Sequence, residues 1–210
     1  MITNKNSIIR LSKYKDALYR LKNLGFVKVF SDNLADAVGV TASQVRKDFS
    51  IFGISGSKRG GYQIDQLIEK LNQILGKNII QKVIIAGLGN IGMALMKYRG
   101  FEKEGINIVA MFDIDPAKFD RNAKVPILPL DEMKEYIRVN NIKMGIIAVP
   151  DVAAQQVLDV MLGAGIKGVL NFAPIRLRAG SDAVINNVNL ISELENVMYF
   201  VNTMEKGKGI

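Results

Sequence analysis

Three glycines in the stretch GLGNIG, residues 87–92, have the spacing of a phosphate-binding turn. The stretch follows the apolar run Val83 to Ala86 and leads into a second apolar run that is typical of a helix. Such glycines let the backbone approach a pyrophosphate at the N-terminus of the helix. The spacing therefore predicts a dinucleotide site that contains Gly87, Leu88, Gly89, Asn90, Ile91 and Gly92.

Asp113 ends the next apolar run, 21 residues after Gly92. A carboxylate at this place in a dinucleotide fold bonds the adenosine ribose hydroxyls. Its charge repels a 2′-phosphate, and no arginine follows immediately, so the sequence favours NAD(H) over NADP(H). The alternative is that Asp113 is only a turn residue at a strand end, beside Asp115 and Pro116.

From Gln81 onward, short apolar runs alternate with helical patterns, which predicts an α/β fold with a Rossmann-type doubly wound parallel sheet. The clearest predicted strands are Val83–Ala86, Ile106–Phe112, Met144–Val149 and Gly168–Leu170. Ligands bind at the carboxyl ends of such strands. The loops after the last two strands therefore add Val149, Pro150, Asn171, Ala173 and Pro174 to the predicted cofactor site.

The chain contains no histidine and no cysteine, which removes the usual zinc and iron ligands and predicts no metal site. Lys97, Tyr98 and Asp151 are candidates for acid–base chemistry, but their pattern marks out no catalytic arrangement. The sequence thus indicates a bound dinucleotide without an obvious catalyst. An NAD-dependent dehydrogenase with a basic N-terminal extension is the alternative, because some dehydrogenases use tyrosine and lysine.

Positive charge is concentrated in the first third of the chain. Residues 1–78 carry 13 Lys or Arg against 6 Asp or Glu, whereas residues 79–210 carry 15 against 14. A basic domain joined to a near-neutral one predicts that the first domain contacts a polyanion. The alternative is that the basic surface only aids solubility.

The segment from Ser31 to Gly53 predicts a helix-turn-helix that follows a first helix with Ile8, Leu11, Tyr14, Leu18 and Leu21 on its apolar face. Ser31 is the predicted cap of the second helix, Gly39 lies in the turn, and Thr41 with Gln44 forms a capping box. The outward face of the third helix is polar and basic and suits the major groove of DNA. Its predicted DNA-binding residues are Ser43, Gln44, Arg46, Lys47 and Ser50, and the alternative is a helical bundle with a solvated basic face.

A glycine-rich loop with Lys58 and Arg59 follows, and then a predicted helix from Asp65 to Leu75. A basic loop at this place predicts the wing of a winged helix, which contacts phosphates or a minor groove. The alternative is a flexible linker. The N-terminus lacks a signal peptide and no apolar run is long enough to span a membrane, so we expect a cytoplasmic protein without a membrane partner.

The chain resembles the bacterial redox-sensing transcriptional repressor Rex family from about Leu11 to Phe200. The matching strings are QVRKDFSIFG (44–53), GYQID (61–65), GLGNIG (87–92), YRGFEK (98–103), FDIDP (112–116), AVPDVAAQ (148–155) and GIKGVLNFAP (165–174). The resemblance implies a homodimer that is not an enzyme. Its N-terminal winged helix binds double-stranded operator DNA, and its Rossmann domain senses the NADH/NAD+ ratio, with NADH releasing the DNA.

The resemblance also implies three segments: a DNA-binding domain at residues 1–78, an NAD(H)-binding domain at 79–188, and a C-terminal helix and tail at 189–210 that is exchanged between subunits. Leu190, Leu194, Val197 and Met198 share one face of the matching stretch, Leu190 to Asn202. Tyr98 and Leu190 join the predicted cofactor-binding residues. The alternative is an ordinary closing helix of its own subunit.

Two positions depart from the family's switch network, in which an arginine, a tyrosine and an aspartate interact. Asp16 stands where the arginine is expected and Asn189 where the aspartate is expected, while Tyr98 is kept. In the wing, Arg59 replaces a usual glycine. We therefore expect coupling to persist through the exchanged helix with a different strength. A likeness to the coenzyme A-binding domain of succinyl-CoA ligases is a further alternative, but those enzymes need a phosphorylated histidine.

Overall fold

The computed structural model describes residues 5–57 and 60–207 and divides the chain into two compact units, Met1–Ile79 and Ile80–Ile210. In the described part of the chain, no helix combines the length and apolar character that crossing a membrane requires.

Over the residues that the structure describes, the first unit contains four helices and a two-stranded antiparallel ribbon. In chain order the elements are α1 (Lys5–Asn23), β1 (Lys28–Val29), α2 (Ser31–Val38), α3 (Ala42–Ile51), β2 (Tyr62–Gln63) and α4 (Ile64–Ile74). The strands β1 and β2 pair through Lys28 with Gln63 and Val29 with Tyr62. Helices α2 and α3 with this ribbon form the predicted winged helix-turn-helix.

The turn between α2 and α3 follows the prediction only in part. Gly39 has a φ of 74°, and the Thr41 hydroxyl accepts the N–H of Gln44, so the turn and this cap are confirmed. The second half of the capping box is wrong, because the Gln44 side chain donates to Asp48. The Ser31 cap is also wrong.

Ser31 is already the first residue of α2 and is buried, so its side chain does not stand at the cap position. Phe30 takes that position, and the side-chain oxygen of Asn33 accepts the Phe30 N–H at 3.0 Å. The side chain that closes this helix end thus comes from inside the first turn.

The core of the first unit lies among all four helices, α1, α2, α3 and α4, and includes Val29 of β1. Tyr14 of α1 and Phe49 of α3 are fully buried and meet edge to face, with ring centroids 5.5 Å apart. Leu11 and Leu18 are buried on the same face of α1, whereas Ile8, which was predicted to join them, is exposed. Burial of the Phe49 face leaves the opposite face of α3 for solvent or a partner.

An ion pair inside the first unit joins α1 to α3. Arg10 donates to both oxygens of Asp48, at 2.6 and 2.7 Å, and the Asp48 side chain has no exposed surface. The Tyr14 hydroxyl and the Gln44 amide complete the set of donors, each at 2.9 Å. Burial alone would raise the pKa of Asp48, but the hydrogen bonds from Arg10, Tyr14 and Gln44 hold that pKa below its usual value.

Between residues 80 and 207, the second unit consists of a six-stranded sheet with helices on its faces. Its elements are β3 (Gln81–Ala86), α5 (Asn90–Lys97), α6 (Gly100–Lys103), β4 (Ile106–Asp113), β5 (Ile127–Pro129), α7 (Met133–Val139), β6 (Met144–Ile147), α8 (Asp151–Ala164), β7 (Gly168–Asn171), β8 (Val184–Asn187) and α9 (Leu190–Gly207). Short 3₁₀ turns lie at Pro116–Lys118 and Leu130–Glu132. The predicted Rossmann-type α/β fold is confirmed.

The strands run in the order β5-β4-β3-β6-β7-β8, and every neighbouring pair is parallel. This order reverses between β3 and β6, which is where doubly wound sheets open a ligand crevice. Alternate residues of β3 serve the two cores, with Val83 and Ile85 in one and Ile84 and Ala86 in the other. The sequence prediction omitted β5 and β8 and extended β6 two residues too far, to Val149.

We predict that Asp48→Asn destabilises the full chain by about 2 kcal/mol at pH 7, because it removes the charge that Arg10 meets inside the unit. This loss of stability is small for a buried ion pair, because the Arg10 side chain still reaches water. Urea unfolding followed by circular dichroism measures the change, and Asp36→Asn on the exposed side of α2 is the matched control.

The same pair predicts the direction of the pH dependence. Because the folded pKa of Asp48 is lowered, its contribution is complete above the unfolded pKa of about 3.9 and is lost as the pH falls through the folded value. The natural chain should therefore lose more stability below pH 4 than Asp48→Asn does. Equal losses in both proteins would contradict the assigned role of this carboxylate.

Candidate functional site

A cavity of about 620 Å³ opens at the carboxyl edge of the sheet in the second unit, around the ends of β3, β4 and β6. It lies at the point where the strand order reverses. Eight of the residues predicted to bind a cofactor line this cavity: Gly87, Gly89, Asn90, Ile91, Asp113, Val149, Pro150 and Pro174. The structure therefore brings the glycine turn, the acidic residue and both later loops to one place.

The glycines of the turn have different physical roles. Gly87 has a φ of 99°, and a Cβ there would lie 2.5 Å from the carbonyl oxygen of Ala148, so only glycine fits. A Cβ on Gly92 would overlap the Gly87 carbonyl oxygen, which means that this glycine serves the packing of α5 against the turn. Gly89 has an ordinary φ of −78° and open space around a Cβ. The space beside Gly89 is the space that a pyrophosphate would need at the N-terminus of α5.

Asp113 is buried at the end of β4 and is bound on both of its oxygens. One oxygen accepts the backbone N–H of Leu88 at 2.6 Å and the Lys118 ammonium at 3.2 Å, and the other accepts the N–H of Asp115 at 2.9 Å. Burial alone would raise the pKa of Asp113, but the N–H groups of Asp115 and Leu88, together with Lys118, hold that pKa below its usual value. The carboxylate therefore stays charged and holds the glycine turn to β4.

Lys118 is a cavity residue that the sequence reasoning missed. The 3₁₀ turn at Pro116–Lys118 returns its ammonium to Asp113, and the same ammonium lies 3.9 Å from Asp115. The Lys118 side chain remains 37% exposed, so it can reach a bound molecule. The signal in the sequence is a lysine five residues after the acidic residue, farther along the chain than the arginine that would mark NADP(H) binding.

Six predicted cofactor residues do not line the cavity. Four of them are buried and belong to the turns behind the cavity wall: Leu88, Gly92, Asn171 and Ala173. Tyr98 is 60% exposed at the end of α5, and Leu190 is 58% exposed at the start of α9. Besides Lys118, the wall includes residues that no prediction named, among them Ile114, Leu130, Ala153 and Phe172.

Four of the five residues predicted on the DNA-binding helix lie on the exposed face of α3. These are Ser43, Arg46, Lys47 and Ser50. Gln44 is half-buried and directs its amide to Asp48, so it supports the helix from the inside. In the loop before β2, Ser57 and Gly61 exchange backbone hydrogen bonds at 3.1 and 2.8 Å. The predicted wing residues Lys58 and Arg59 lie outside the described residues.

Helix α9 begins with a side-chain cap. The Asn189 side-chain oxygen accepts the N–H groups of Ile191 and Ser192, at 3.0 and 3.2 Å. Asp16, the other position that departs from the family pattern, is exposed, and its carboxylate lies 3.3 Å from the ammonium of the buried Lys15. Large apolar side chains of α9 are exposed along its length: Leu190, Ile191, Leu194, Val197, Met198, Tyr199, Phe200, Val201 and Met204.

Comparisons with known proteins cover the whole chain. A family model described as a CoA binding domain matches residues 78–175, and one described as a putative DNA-binding protein N-terminus matches residues 4–50. The redox-sensing transcriptional repressor Rex of Desulforamulus reducens is 40% identical, over 95% of this chain and 96% of its own length. The Rex of Carboxydothermus hydrogenoformans is also 40% identical, over 90% and 91%.

The chain belongs to the Rex family. Among solved structures it is similar to RSP, a Rex-family repressor, with 35% identity, a TM-score of 0.89 and complete coverage of both chains. RSP in complex with β-NAD+ and operator DNA gives a TM-score of 0.91 over 99% of this chain and 96% of that one. RSP in complex with β-NADH gives 0.87 over 99% and 98%. These Rex relatives are named as repressors and not as enzymes.

In this chain, we predict that Gly89→Ala folds normally but weakens dinucleotide binding at least about tenfold, or 1.4 kcal/mol. Its added methyl group meets no protein atom, so the loss would come from the space the pyrophosphate needs. Isothermal titration with NADH measures the affinity, and thermal unfolding checks the fold. Gly92→Ala is the contrasting variant, because its methyl group overlaps Gly87 and should lower stability itself. Unchanged NADH affinity in a folded Gly89→Ala protein would contradict the site.

We also predict that Lys118→Met increases the preference of this chain for NADH over NADPH. The variant removes a cation beside Asp113 and Asp115 and leaves both carboxylates to repel a 2′-phosphate. The site is partly open to water, so we expect a change of about fivefold in the affinity ratio. Competition binding gives this ratio, with Lys124→Met on the exposed surface as control. A ratio equal to that of the natural chain would show that Lys118 does not face the ribose.

Proposed function

We propose that this chain is a redox-sensing transcriptional repressor that binds operator DNA through its first unit and leaves the DNA when NADH occupies the second. The observation that carries the proposal is the full-length similarity to one repressor, RSP, whose structures contain either NADH or NAD+ with operator DNA. Such a repressor acts in the cytoplasm, where the bacterial chromosome lies.

Each segment has a role in this proposal. Residues 1–78 bind DNA, residues 79–188 bind NAD(H), and residues 189–210 contribute the helix exchanged in a homodimer. Arg46 and Lys47 are exposed on α3 and suit phosphates or base edges in a major groove. The glycine turn, Asp113 and the two later loops form the dinucleotide site.

The chemistry of the cavity supports a sensed ligand over a substrate. Among its described lining residues, only Asp113, Asp115 and Lys118 have ionisable side chains, and the Lys118 ammonium lies within ion-pair distance of both carboxylates. No group of metal-ligating side chains occurs in the part of the chain that the structure describes. A ligand that is only sensed needs no proton donor. It needs only a different affinity for the two arrangements of the protein.

Regulation requires that NADH and DNA prefer different arrangements of the same dimer. Their coupling is reciprocal, because the factor by which NADH lowers the affinity for DNA is also the factor by which DNA lowers the affinity for NADH. Such couplings are typically about 1 to 3 kcal/mol. Asp16 and Asn189 replace two members of the family's switch network, so we propose that the exchanged helix α9 carries the coupling here.

The decisive experiment selects sites for the full chain from random DNA duplexes at fixed salt, then titrates the complex with NADH or NAD+. We expect a palindromic site, because a twofold dimer reads two related half-sites, and release by NADH. Selection without release would mean that this chain binds DNA but does not sense NADH. No selected site, together with hydride exchange on small alcohols or acids, would establish the dehydrogenase alternative.

Within that assay, Arg46→Ala should weaken binding to the selected site by about 1 to 3 kcal/mol, because it removes a contact from the DNA-facing side of α3. NADH affinity should remain that of the natural chain. Arg138→Ala on α7 of the second unit removes the same charge and is the matched control. DNA affinity unaffected by Arg46→Ala would show that another surface of the first unit binds DNA.

A further inference from the structure

Asn171 is the last residue of β7, and both polar atoms of its buried side chain form hydrogen bonds within the protein. Its oxygen accepts the N–H of Ala173 at 3.0 Å. Its nitrogen donates to the carbonyl oxygens of Ala173 and Ile175, at 3.2 and 2.9 Å, and to the side-chain oxygen of Asn187 at 2.9 Å. The side chain has no exposed surface, so Asn171 does not contact a ligand directly.

One end of this arrangement reaches the cavity. Phe172 and Pro174 line the cavity wall and alternate with the two residues, Ala173 and Ile175, whose backbone groups Asn171 holds. The N–H of Phe172 is fixed to the Ile147 carbonyl at 2.8 Å, which joins this turn to the neighbouring strand. A ligand that contacts Phe172 or Pro174 therefore acts on a turn whose shape depends on one buried amide.

The other end reaches the start of α9. Asn171 and Asn187 are the last residues that β7 and β8 pair, and the N–H of Val188 donates to the Asn171 carbonyl at 2.8 Å. The next residue, Asn189, caps α9 through Ile191 and Ser192. Only Val188 lies between Asn187, whose side chain bonds to Asn171, and Asn189, which caps the helix.

We propose that Asn171 and Asn187 are positioning residues that transmit occupation of the cavity to the N-terminus of α9. The path runs from the Phe172–Pro174 turn through the Asn171 amide to Asn187, and from there to the Asn189 cap. Each step is a hydrogen bond of 3.2 Å or less or a neighbouring residue in the chain. The inference rests on the proposed function, because it assumes that the ligand of the cavity is the dinucleotide.

Asn187 is the position to change, because it is exposed and its loss leaves Asn171 with its other partners. Asn187→Ala removes the acceptor, whereas Asn187→Asp keeps an acceptor oxygen and should restore the link. Val184→Ala, at the exposed far end of β8, is the control for a general effect on the strand. Asn171 itself is unsuitable, because removing a fully buried amide damages the turn and the fold.

The first measurement is the affinity of the full chain for its selected DNA site, with and without saturating NADH. The ratio of DNA affinity without NADH to that with NADH measures the coupling. We expect Asn187→Ala to reduce this ratio by about fivefold or more, while the separate affinities for DNA and for NADH stay nearly unchanged. Asn187→Asp should keep the natural ratio. A natural ratio in Asn187→Ala overturns the inference, and so does a loss of both affinities without any change in the ratio, which would indicate a structural role.

The second measurement needs no DNA and separates this inference from the proposed function. Hydrogen exchange of the first amides of α9 is compared with and without NADH. In the natural chain we expect NADH to change this exchange, and in Asn187→Ala we expect a much smaller change. If NADH binds but leaves these amides unaffected in the natural chain, the inference fails. If they respond while DNA binding does not, the proposed function fails and the link stands.

Discussion

The carboxylate of Asp113 is buried while it carries a negative charge, and a buried charge persists only where donors surround it. Its three donors come from three places: the glycine turn, the segment after β4, and the 3₁₀ turn that ends at Lys118. These bonds hold together the glycine turn and the segment after β4, which form one part of the cavity wall. The electrostatic requirement of a single side chain thus fixes the position of the glycine turn relative to the end of β4.

The first unit uses the same principle on a different scaffold. Asp48 is buried on α3, and its donors Arg10 and Tyr14 belong to α1, so the charge fixes the angle at which α3 presents its exposed face. Gln44 lies in the middle of the predicted DNA-binding surface, yet it belongs to this internal network. Burial, and after it the neighbouring Asp48 carboxylate, raises the pKa of Tyr14 to about 12, because both oppose its ionisation. Both functional surfaces therefore rest on a carboxylate that stays ionised inside the protein.

Local patterns in the sequence were sufficient for the glycine turn, Asp113 and the exposed face of α3, because each depends on residues close together in the chain. The missed strands lack such a pattern. β5 is three residues long and ends in a proline, and β8 reads VINN with polar residues at its end. The inward bond of Gln44 depends on a network with residues thirty or more positions away. Asp115 and Pro116 favour the turn that precedes Lys118, but the return of its ammonium to Asp113 depends on a tertiary contact. Tertiary contacts decide these features, and one sequence does not reveal them.

Helix α9 leaves nine large apolar side chains between 46% and 67% exposed in a single chain. In the proposed homodimer, the free energy of covering that surface would be gained on association and would enter the stability of the protein through mass action. Dilution alone should therefore weaken the fold of the helix, and the number of copies per cell becomes a thermodynamic variable of the regulator. A cell that makes less of this protein would hold a smaller assembled fraction as well as fewer molecules. The amount of assembled regulator would therefore rise more steeply than in proportion to the number of copies per cell.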